Sequence, residues 1–172
     1  QEVLPRLAEA NILKIGVPTH LGGLGGDVAG AVEAIANVAS HSLAAAFVCW
    51  GQRSFIEYLL QSPNQRLREQ LMPDLLSGKL AGATGLSNAM KFISGIESLQ
   101  ISAEPNDHGW TLNGRLHWVT NLRKNGFVAA AAMEHAGGGP PFILATPTRG
   151  AGWRGPAARK WPGWIICWKT VM

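Results

Sequence analysis

The sequence predicts an α+β protein in which an N-terminal helical bundle precedes a small antiparallel β domain of the barrel or sandwich kind. Three observations predict this order. Apolar residues recur at helical spacing up to about residue 80, and they alternate with polar residues after Lys79. Hydrophobic residues make up 47% of the 172 residues and charged residues only 15%, so the chain can bury a core. We expect a helical domain (1–80), a β domain (81–147) and an atypical Trp-rich tail (148–172).

The first two helical segments are separated by glycine. Apolar residues repeat at helical spacing over residues 4–12, and this segment closes at Gly16-Val17-Pro18. A glycine cluster at residues 22–26 follows, and then Asp27, a favourable helix N-cap. From there an apolar stripe at helical spacing predicts an amphipathic helix; its members are Val28, Ala31, Val32, Ile35, Val38 and Ala39.

Two further helices are predicted before residue 80. The small residues Ala44, Ala45 and Ala46 allow close packing of a neighbouring helix, and a helix is expected over about residues 53–60. Another begins after Ser62-Pro63 and ends at Ser77-Gly78. Its Leu67, Leu71 and Leu75 recur every four residues and therefore predict one buried face.

Strands are predicted in the second half. Leu99, Ile101 and Ala103 alternate with polar residues, as in a strand with one buried face. Residues 110–112 and 116–120 flank Asn113-Gly114, a dipeptide typical of tight β-hairpin turns. Residues 127–133 and 142–145 are two more short apolar runs that suit buried strands.

Charge and cysteine content exclude several classes of protein. Residues 1–134 carry ten Lys/Arg against eleven Asp/Glu, whereas residues 135–172 carry five Lys/Arg and no acid, so the overall +4 arises in the tail. The body therefore lacks the basic face that nucleic-acid binding requires. No apolar run approaches the length of a membrane span. Two cysteines without a secretion signal predict a reducing, cytoplasmic setting, and a start at Gln1 rather than Met suggests a fragment.

Local motifs assign neither a metal site nor a catalytic residue. Residues 23–28 miss the dinucleotide fingerprint because Val28 stands where its last glycine belongs, and no strand precedes them. The chain has neither a phosphate-binding P-loop sequence nor a nucleophile elbow. The five histidines have no metal-ligand spacing with Cys, Asp or Glu, so we expect no bound metal.

Three segments, taken in order, resemble the acyl-CoA dehydrogenase family. Residues 15–27 read IGVPTHLGGLGGD, similar to the family's G-[IV]-P-x-x-x-G-G-x-G-x-D signature. Residues 65–78 read QRLREQLMPDLLSG, similar to its Q-x-x-x-L-P-x-L-x-x-G helix. Residues 112–121 read LNGRLHWVTN, similar to its hairpin followed by W-[IV]-T-N. The resemblance extends over about residues 1–147.

The resemblance implies a flavoenzyme fold with FAD as the cofactor, FMN being the alternative. By motif position, Trp118 would pack beside the isoalloxazine ring, and Val119 and Thr120 would bond its polar edge near N5. A flavin is a wide aromatic plate with a polar rim, and it requires an aromatic wall and a few donors. The simpler interpretation of Trp118 is core packing in a hairpin.

One stretch departs from the family pattern. The family's other flavin-contacting segment reads T-E-P-G-x-G-S-D, whereas residues 86–96 read LSNAMKFISGI. Counting back from Trp118 places Asn88 at the family's Thr and Ser94 at its Ser, so the resemblance assigns Leu86, Asn88 and Ser94 to cofactor binding. The alternative for Asn88 is a turn residue at a strand end. The missing Glu-Pro and glycines put pyrophosphate contact and acyl-CoA specificity in doubt.

The function implied by the resemblance is flavin-dependent α,β-dehydrogenation of an acyl-CoA thioester. The family's catalytic base lies in a C-terminal helical domain that we place beyond residue 172, so this chain is expected to be inactive alone. Family members are homo-oligomers, typically tetramers, that take acyl-CoA or another small molecule; neither nucleic acid nor membrane is an expected partner. The alternatives are a two-component flavin-dependent monooxygenase of the same fold and a non-enzymatic interaction domain.

The last 25 residues fit no regular period. Four of the seven tryptophans, Trp153, Trp161, Trp164 and Trp168, lie there beside glycine, proline and arginine. We interpret residues 148–172 as an end that does not belong to the original fold, such as a frameshifted one. The alternative is an aromatic, basic segment that binds a partner.

Overall fold

The computed structural model describes residues 3–107, 109–123, 126–147, 160–161 and 164–166. Five α-helices and seven strands follow one another in the described chain. The helices are α1 (Val3–Glu9), α2 (Val28–His41), α3 (Leu43–Gln61), α4 (Gln65–Leu76) and α5 (Leu86–Ile93). The strands are β1 (Ala81–Thr84), β2 (Ile101–Asn106), β3 (Gly109–Gly114), β4 (Phe127–His135), β5 (Phe142–Pro147), β6 (Lys160–Trp161) and β7 (Trp164–Ile166).

Side-chain caps determine where three of the helices begin. The Asp27 carboxylate accepts a hydrogen bond of 3.0 Å from the Gly30 amide, which is the cap predicted for α2. The Ser42 hydroxyl accepts one of 3.2 Å from the Ala45 amide and starts α3. That helix therefore begins ten residues before the segment expected at 53–60, because the intervening alanines favour helix. The Asn64 side chain caps α4 in the same way.

The two predicted apolar stripes are buried to different extents. Leu67, Leu71 and Leu75 of α4 are all buried in the main core, as their spacing predicts. On α2, by contrast, Ala31 is buried, while Val28 and Val32 are more than half exposed. The α2 stripe thus packs through its Ile35 side, and its first turns keep an exposed apolar surface.

The β part is a mixed sheet, whereas the sequence predicts an antiparallel one. Its path runs β6-β3-β2-β4-β5-β7, with β1 paired to β4 off this path. The pairings β2–β3, β3–β6, β4–β5 and β5–β7 are antiparallel, but β1 and β2 both run parallel to β4. Parallel neighbours require a long crossover, here the chain between β1 and β4, and alternation within a strand carries no information about its partner.

The predicted hairpin about Asn113-Gly114 is wrong. The hairpin joins β2 to β3 instead, with Asn106 paired to Gly109 at its closed end and Ile101 paired to Gly114 at its open end. Gly114 has a φ of 136°, and a Cβ there would collide with the Gln100 carbonyl oxygen. The glycine is therefore required by the close approach of β2 and not by a turn. Residues 115–119 form no strand.

Gln52 connects the helical part to the sheet. Its fully buried side chain donates hydrogen bonds to the Leu75 and Leu80 carbonyl oxygens, at 2.9 and 3.0 Å, and accepts one of 2.7 Å from the Gly82 amide. Beside it, Gly82 lies so close to α3 that an added Cβ would be 2.5 Å from the Phe55 Cβ. The start of β1 is thus held against α3 by both packing and hydrogen bonds.

The next residue of α3, Arg53, is a buried cation with an incomplete set of partners. It is 4% exposed, and its Nη2 lies 3.8 Å from a Glu57 carboxylate oxygen. Among the residues that the structure describes, none bonds its Nε or Nη1. Burial lowers the pKa of Arg53, an effect that Glu57 partly opposes. A buried donor without an acceptor costs free energy, so this guanidinium contributes unfavourably to folding.

We expect Arg53→Met to raise the free energy of unfolding by about 1 kcal/mol, because Met keeps the buried stem and removes the unpaired donors. The loss of the partner of Glu57 costs less, since Glu57 is partly exposed. Urea denaturation measures the change. Lys79→Met removes an exposed cation that lies 3.3 Å from Asp74 and is the matched control, with an expected change below about 0.5 kcal/mol. A clear loss of stability in Arg53→Met would show that the guanidinium is hydrogen-bonded in solution.

The tail enters the described structure only through two short backbone segments. Strand β6 pairs with β3, and β7 pairs with β5. The remainder of residues 148–172 lies outside the described residues, so both interpretations of the tail stay predictions. None of the described helices is long and apolar enough to cross a membrane.

Candidate functional site

The predicted W-V-T-N segment meets the end of β1. The Thr84 amide donates to the Thr120 carbonyl oxygen and the Thr120 amide to the Thr84 carbonyl oxygen, both at 3.2 Å. This isolated antiparallel pair, hereafter the Thr84–Thr120 pair, lies two residues before the start of α5. The fold therefore brings Trp118, Val119 and Thr120 close to Leu86, four of the six predicted cofactor-binding residues.

The surface beside this pair has unused binding capacity. The Trp118 side chain is 77% exposed, which is unusual for a tryptophan and does not agree with the core-packing interpretation. Within the described part of the chain, the backbone groups of Trp118 and Val119 and the Thr120 hydroxyl make no hydrogen bond. An exposed aromatic plate beside free donors and acceptors fits a flavin ring, which stacks through its face and bonds through its rim.

Helix α3 supports the segment from behind. Asn121 has a φ of 63°, and its Nδ2 donates to the Val48 carbonyl oxygen at 3.0 Å and to the Gly82 carbonyl oxygen at 3.3 Å. An added Cβ at Gly51 would lie 2.7 Å from the Thr120 Cγ2, so only glycine allows this approach. Val119 packs against the apolar cluster that includes Cys49 and Ala83. The segment is thus fixed on one side and open on the other.

Tyr58 holds the other member of the pair. Its hydroxyl shares a hydrogen bond of 3.0 Å with the Thr84 Oγ1, and Thr84 is buried. Burial raises the pKa of Tyr58, and the hydrogen bond with Thr84 partly offsets this rise. The hydroxyl therefore stays protonated at neutral pH and is a permanent donor or acceptor at this position.

Asn88 lies in helix α5 and Ser94 just after it, although the family pattern suggests a glycine-rich extended stretch. The buried Asn88 amide donates to a Glu97 carboxylate oxygen (2.9 Å) and to the Ser98 carbonyl oxygen (3.1 Å), and its oxygen accepts from the Gln100 amide (3.0 Å). This set of bonds fixes the loop after α5. Ser94 lies exposed just past the far end of the helix, about 12 Å from Leu86 at 1.5 Å per residue. The cofactor roles of Asn88 and Ser94 stay predictions.

Glu97 follows helix α5 and contacts two of its side chains, Asn88 and Lys91. The hydrogen bond from Asn88 lowers the pKa of Glu97 and outweighs the opposing desolvation, with help from Lys91 at 3.4 Å. The group is therefore ionised and hydrogen-bonded at neutral pH. Among the described residues, no group of three His, Cys, Asp or Glu side chains could hold a metal ion.

Sequence reasoning missed Gly51, Tyr58 and Thr84, which support the site from behind, and it included Asn121 in the W-V-T-N segment without a role for its side chain. Two signals were available. A glycine inside an otherwise strong helix indicates close approach of another backbone, and Asn tolerates the left-handed conformation that ends a strand pair. Neither signal identifies the partner, which in each case is distant along the chain.

Comparison with known proteins identifies the class of fold first. A butyryl-CoA dehydrogenase from Megasphaera elsdenii has a TM-score of 0.65 and 26% identity, covering 85% of this chain and 39% of that one. A glutaryl-CoA dehydrogenase from Mycobacterium smegmatis, solved in complex with FADH2, has a TM-score of 0.70 and 19% identity, covering 85% and 37%. The chain therefore has the fold of the N-terminal helical and middle β domains of acyl-CoA dehydrogenases.

The sequence comparisons point to relatives in the same family. Residues 1–79 match the model of the acyl-CoA dehydrogenase N-terminal domain. A mitochondrial isovaleryl-CoA dehydrogenase from Pongo abelii is 28% identical over 123 residues, which cover 70% of this chain and 29% of that protein. The helical part of this chain is thus similar to the acyl-CoA dehydrogenase N-terminal domain, and the resemblance inferred from the sequence is confirmed. The chain spans about a third of the length of these relatives.

Proposed function

We propose that this chain forms one wall of the flavin site of an acyl-CoA dehydrogenase-type oxidoreductase, with FAD as the cofactor. Trp118 stacks on the isoalloxazine ring. The Val119 backbone and the Thr120 hydroxyl bond its polar rim, and Leu86 at the start of α5 borders it. The observation that carries the proposal is the exposed Trp118 ring beside backbone groups that bond no other described residue, next to the hydrogen-bonded Thr84–Thr120 pair.

The family reaction explains why this wall is needed. In that reaction, a flavin held by Trp118, Val119 and Thr120 would supply the acceptor for the hydride that leaves Cβ of an acyl thioester, while a base removes the proton from Cα. The contribution of this chain is to orient: a fixed aromatic wall and fixed donors hold the ring in one position relative to substrate, and orientation alone can contribute several kcal/mol to a rate. No described residue is assigned as the base. Inactivity of this chain on its own stays a prediction.

A second candidate, a flavin-dependent monooxygenase of the same fold, is favoured by helix α5. This helix stands where the family pattern suggests a glycine-rich segment, and it exposes Met90, Phe92 and Ile93. Its one charged residue, Lys91, lies 3.4 Å from a Glu97 oxygen. An apolar surface with a neutralised cation suits an uncharged substrate better than the phosphates of an acyl-CoA.

The whole protein is expected to act as a homo-oligomer on acyl-CoA or another small molecule in the cytoplasm. The match of residues 1–79 to the acyl-CoA dehydrogenase N-terminal domain supports the substrate class. The oligomeric state rests on the resemblance alone, and the compartment rests on the cysteine content of the sequence.

Titration of the purified chain with FAD tests the proposal. We expect saturable quenching of flavin fluorescence, and we expect Trp118→Ala to raise the dissociation constant about tenfold, the equivalent of about 1.4 kcal/mol of lost stacking. Thr120→Val, which keeps the shape of the side chain and removes the hydroxyl, should raise it about threefold. FMN in place of FAD measures the contribution of the adenylate part.

Leu24→Ala is the matched control, since it also truncates an exposed apolar side chain but lies in the helical part, outside the W-V-T-N segment. It should bind FAD as the wild type does. Equal affinity of wild type and Trp118→Ala would contradict the proposed wall. If binding is observed, titration of the flavin-loaded chain with an acyl-CoA separates the two candidates: a perturbed flavin spectrum favours the dehydrogenase, and an unchanged one favours the monooxygenase.

A further inference from the structure

Tyr58 occupies a position that the family resemblance does not account for. It lies on α3 two turns after Gly51, so both residues face the same side of the helix. Gly51 contacts the Thr120 side chain, and Tyr58 bonds the Thr84 side chain. One face of α3 therefore touches both members of the Thr84–Thr120 pair.

The contacts from α3 are unequally divided between the two members. On the W-V-T-N side there are two: the close packing at Gly51 and the hydrogen bond from Asn121 to the Val48 carbonyl oxygen. On the β1 side, Thr84 has a single described side-chain bond, that to Tyr58. If this bond is removed, the hydroxyl of the buried Thr84 loses its partner, and the contacts of Gln52 and Phe55 that still hold β1 to α3 lie two residues away, at Gly82.

We propose that Tyr58 is a positioning residue for the flavin: through Thr84 it fixes the Thr84–Thr120 pair against α3, and so sets the angle at which Val119 and Thr120 meet the flavin rim. This inference rests on the proposed flavin site. Tyr58 does not touch the flavin itself; it acts through Thr84.

Three variants test the inference in the full chain. Tyr58→Phe removes only the hydroxyl, Thr84→Val removes its partner with little change in shape, and Thr84→Ser keeps the partner. Without flavin, we expect Tyr58→Phe to speed hydrogen exchange of the Thr120 amide about fivefold, because that amide bonds the Thr84 carbonyl oxygen. With FAD, we expect a dissociation constant raised about fivefold and, at saturation, a changed visible circular dichroism of the bound flavin.

The spectrum at saturation separates positioning from stability. A variant that is merely less stable gives the wild-type spectrum once it is saturated. Thr84→Val should reproduce the effect of Tyr58→Phe, the double variant should add nothing, and Thr84→Ser should stay near wild type. Ser102→Ala, which removes a hydroxyl bond to the Asn113 carbonyl oxygen in the β2–β3 hairpin, is the matched control and should change neither readout.

The outcomes distinguish this inference from the proposed function. Wild-type FAD binding together with an unchanged spectrum in Tyr58→Phe overturns the positioning role and leaves the flavin site standing. Absence of FAD binding by the wild type overturns both, even if the exchange of Thr120 responds. An effect in Thr84→Val that is absent from Tyr58→Phe shows that Thr84 acts without Tyr58, and this also overturns the inference.

Discussion

Replacing Gln52 by Met is expected to lower the free energy of unfolding by about 4 kcal/mol, the largest stability effect we predict. The Leu80 carbonyl oxygen loses the hydrogen bond that it accepts from this fully buried side chain. The Gly82 amide loses the acceptor to which it donates. Each buried group left without a partner costs about 1–3 kcal/mol. The Leu75 carbonyl oxygen loses less, because it still accepts from the Gly78 amide. Met is nearly isosteric, so a cavity adds little.

Thermal unfolding followed by circular dichroism measures this effect, and we expect the midpoint to fall by about 10 °C for a chain of this size. Gln61→Met is the matched control: Gln61 lies at the exposed end of the same helix and bonds only the Glu57 carboxylate, at 2.8 Å. Its expected effect is below about 0.5 kcal/mol. Equal midpoints for the two variants would mean that the Gln52 bonds do not hold α3 to β1 in solution.

Gly51→Val is expected to abolish flavin binding, with a dissociation constant raised well over tenfold. Its Cβ would lie 2.7 Å from the Thr120 Cγ2 and 3.0 Å from the Asn121 Nδ2, and the Cγ methyls reach further. The greater helix propensity of Val over Gly contributes only about 0.4 kcal/mol, whereas overpacking costs about 1–3 kcal/mol. The cost of overpacking therefore exceeds the gain in helix propensity, and we expect the W-V-T-N segment to move away from α3 to relieve the clash.

FAD titration and urea denaturation together check the Gly51 prediction. Ala44→Val adds two methyl groups to the same helix at an exposed position and should leave both measurements near wild type. An unchanged affinity of Gly51→Val for FAD would show that the position of Thr120 does not determine flavin binding. The proposed support of the site by α3 would then be wrong.

What the sequence could predict is what neighbouring residues determine. The Asp27 cap and the four-residue spacing of Leu67, Leu71 and Leu75 are local properties, and the structure confirms both. The segment at 118–121 was identified through its resemblance to a family motif, and the structure places it beside the end of β1. Its cofactor role stays a prediction. These features needed no knowledge of the partner strand.

What the sequence could not predict depends on pairing between distant residues. Asn113-Gly114 has the composition of a turn, but Gly114 is needed because the Gln100 carbonyl approaches it closely. Alternation predicted strand β2 without predicting that it runs parallel to β4. In the same way, no local pattern connects Tyr58 to Thr84. The helix at residues 86–93 replaced the expected glycine-rich stretch because LSNAMKFI contains neither glycine nor proline and favours helix.

The parallel pairing of β1 with β4 has a consequence for how the protein is made. Ala81 pairs with Phe127, so α5, β2 and β3 lie along the chain between β1 and its partner strand β4. Closing such a long loop costs entropy, and folds that rely on distant contacts form slowly. We therefore expect the two sides of the candidate site to come together late, after the helices have formed. Flavin added during refolding should then increase the yield of native chain rather than accelerate the early steps, because a ligand bound only by the native state stabilises that state alone.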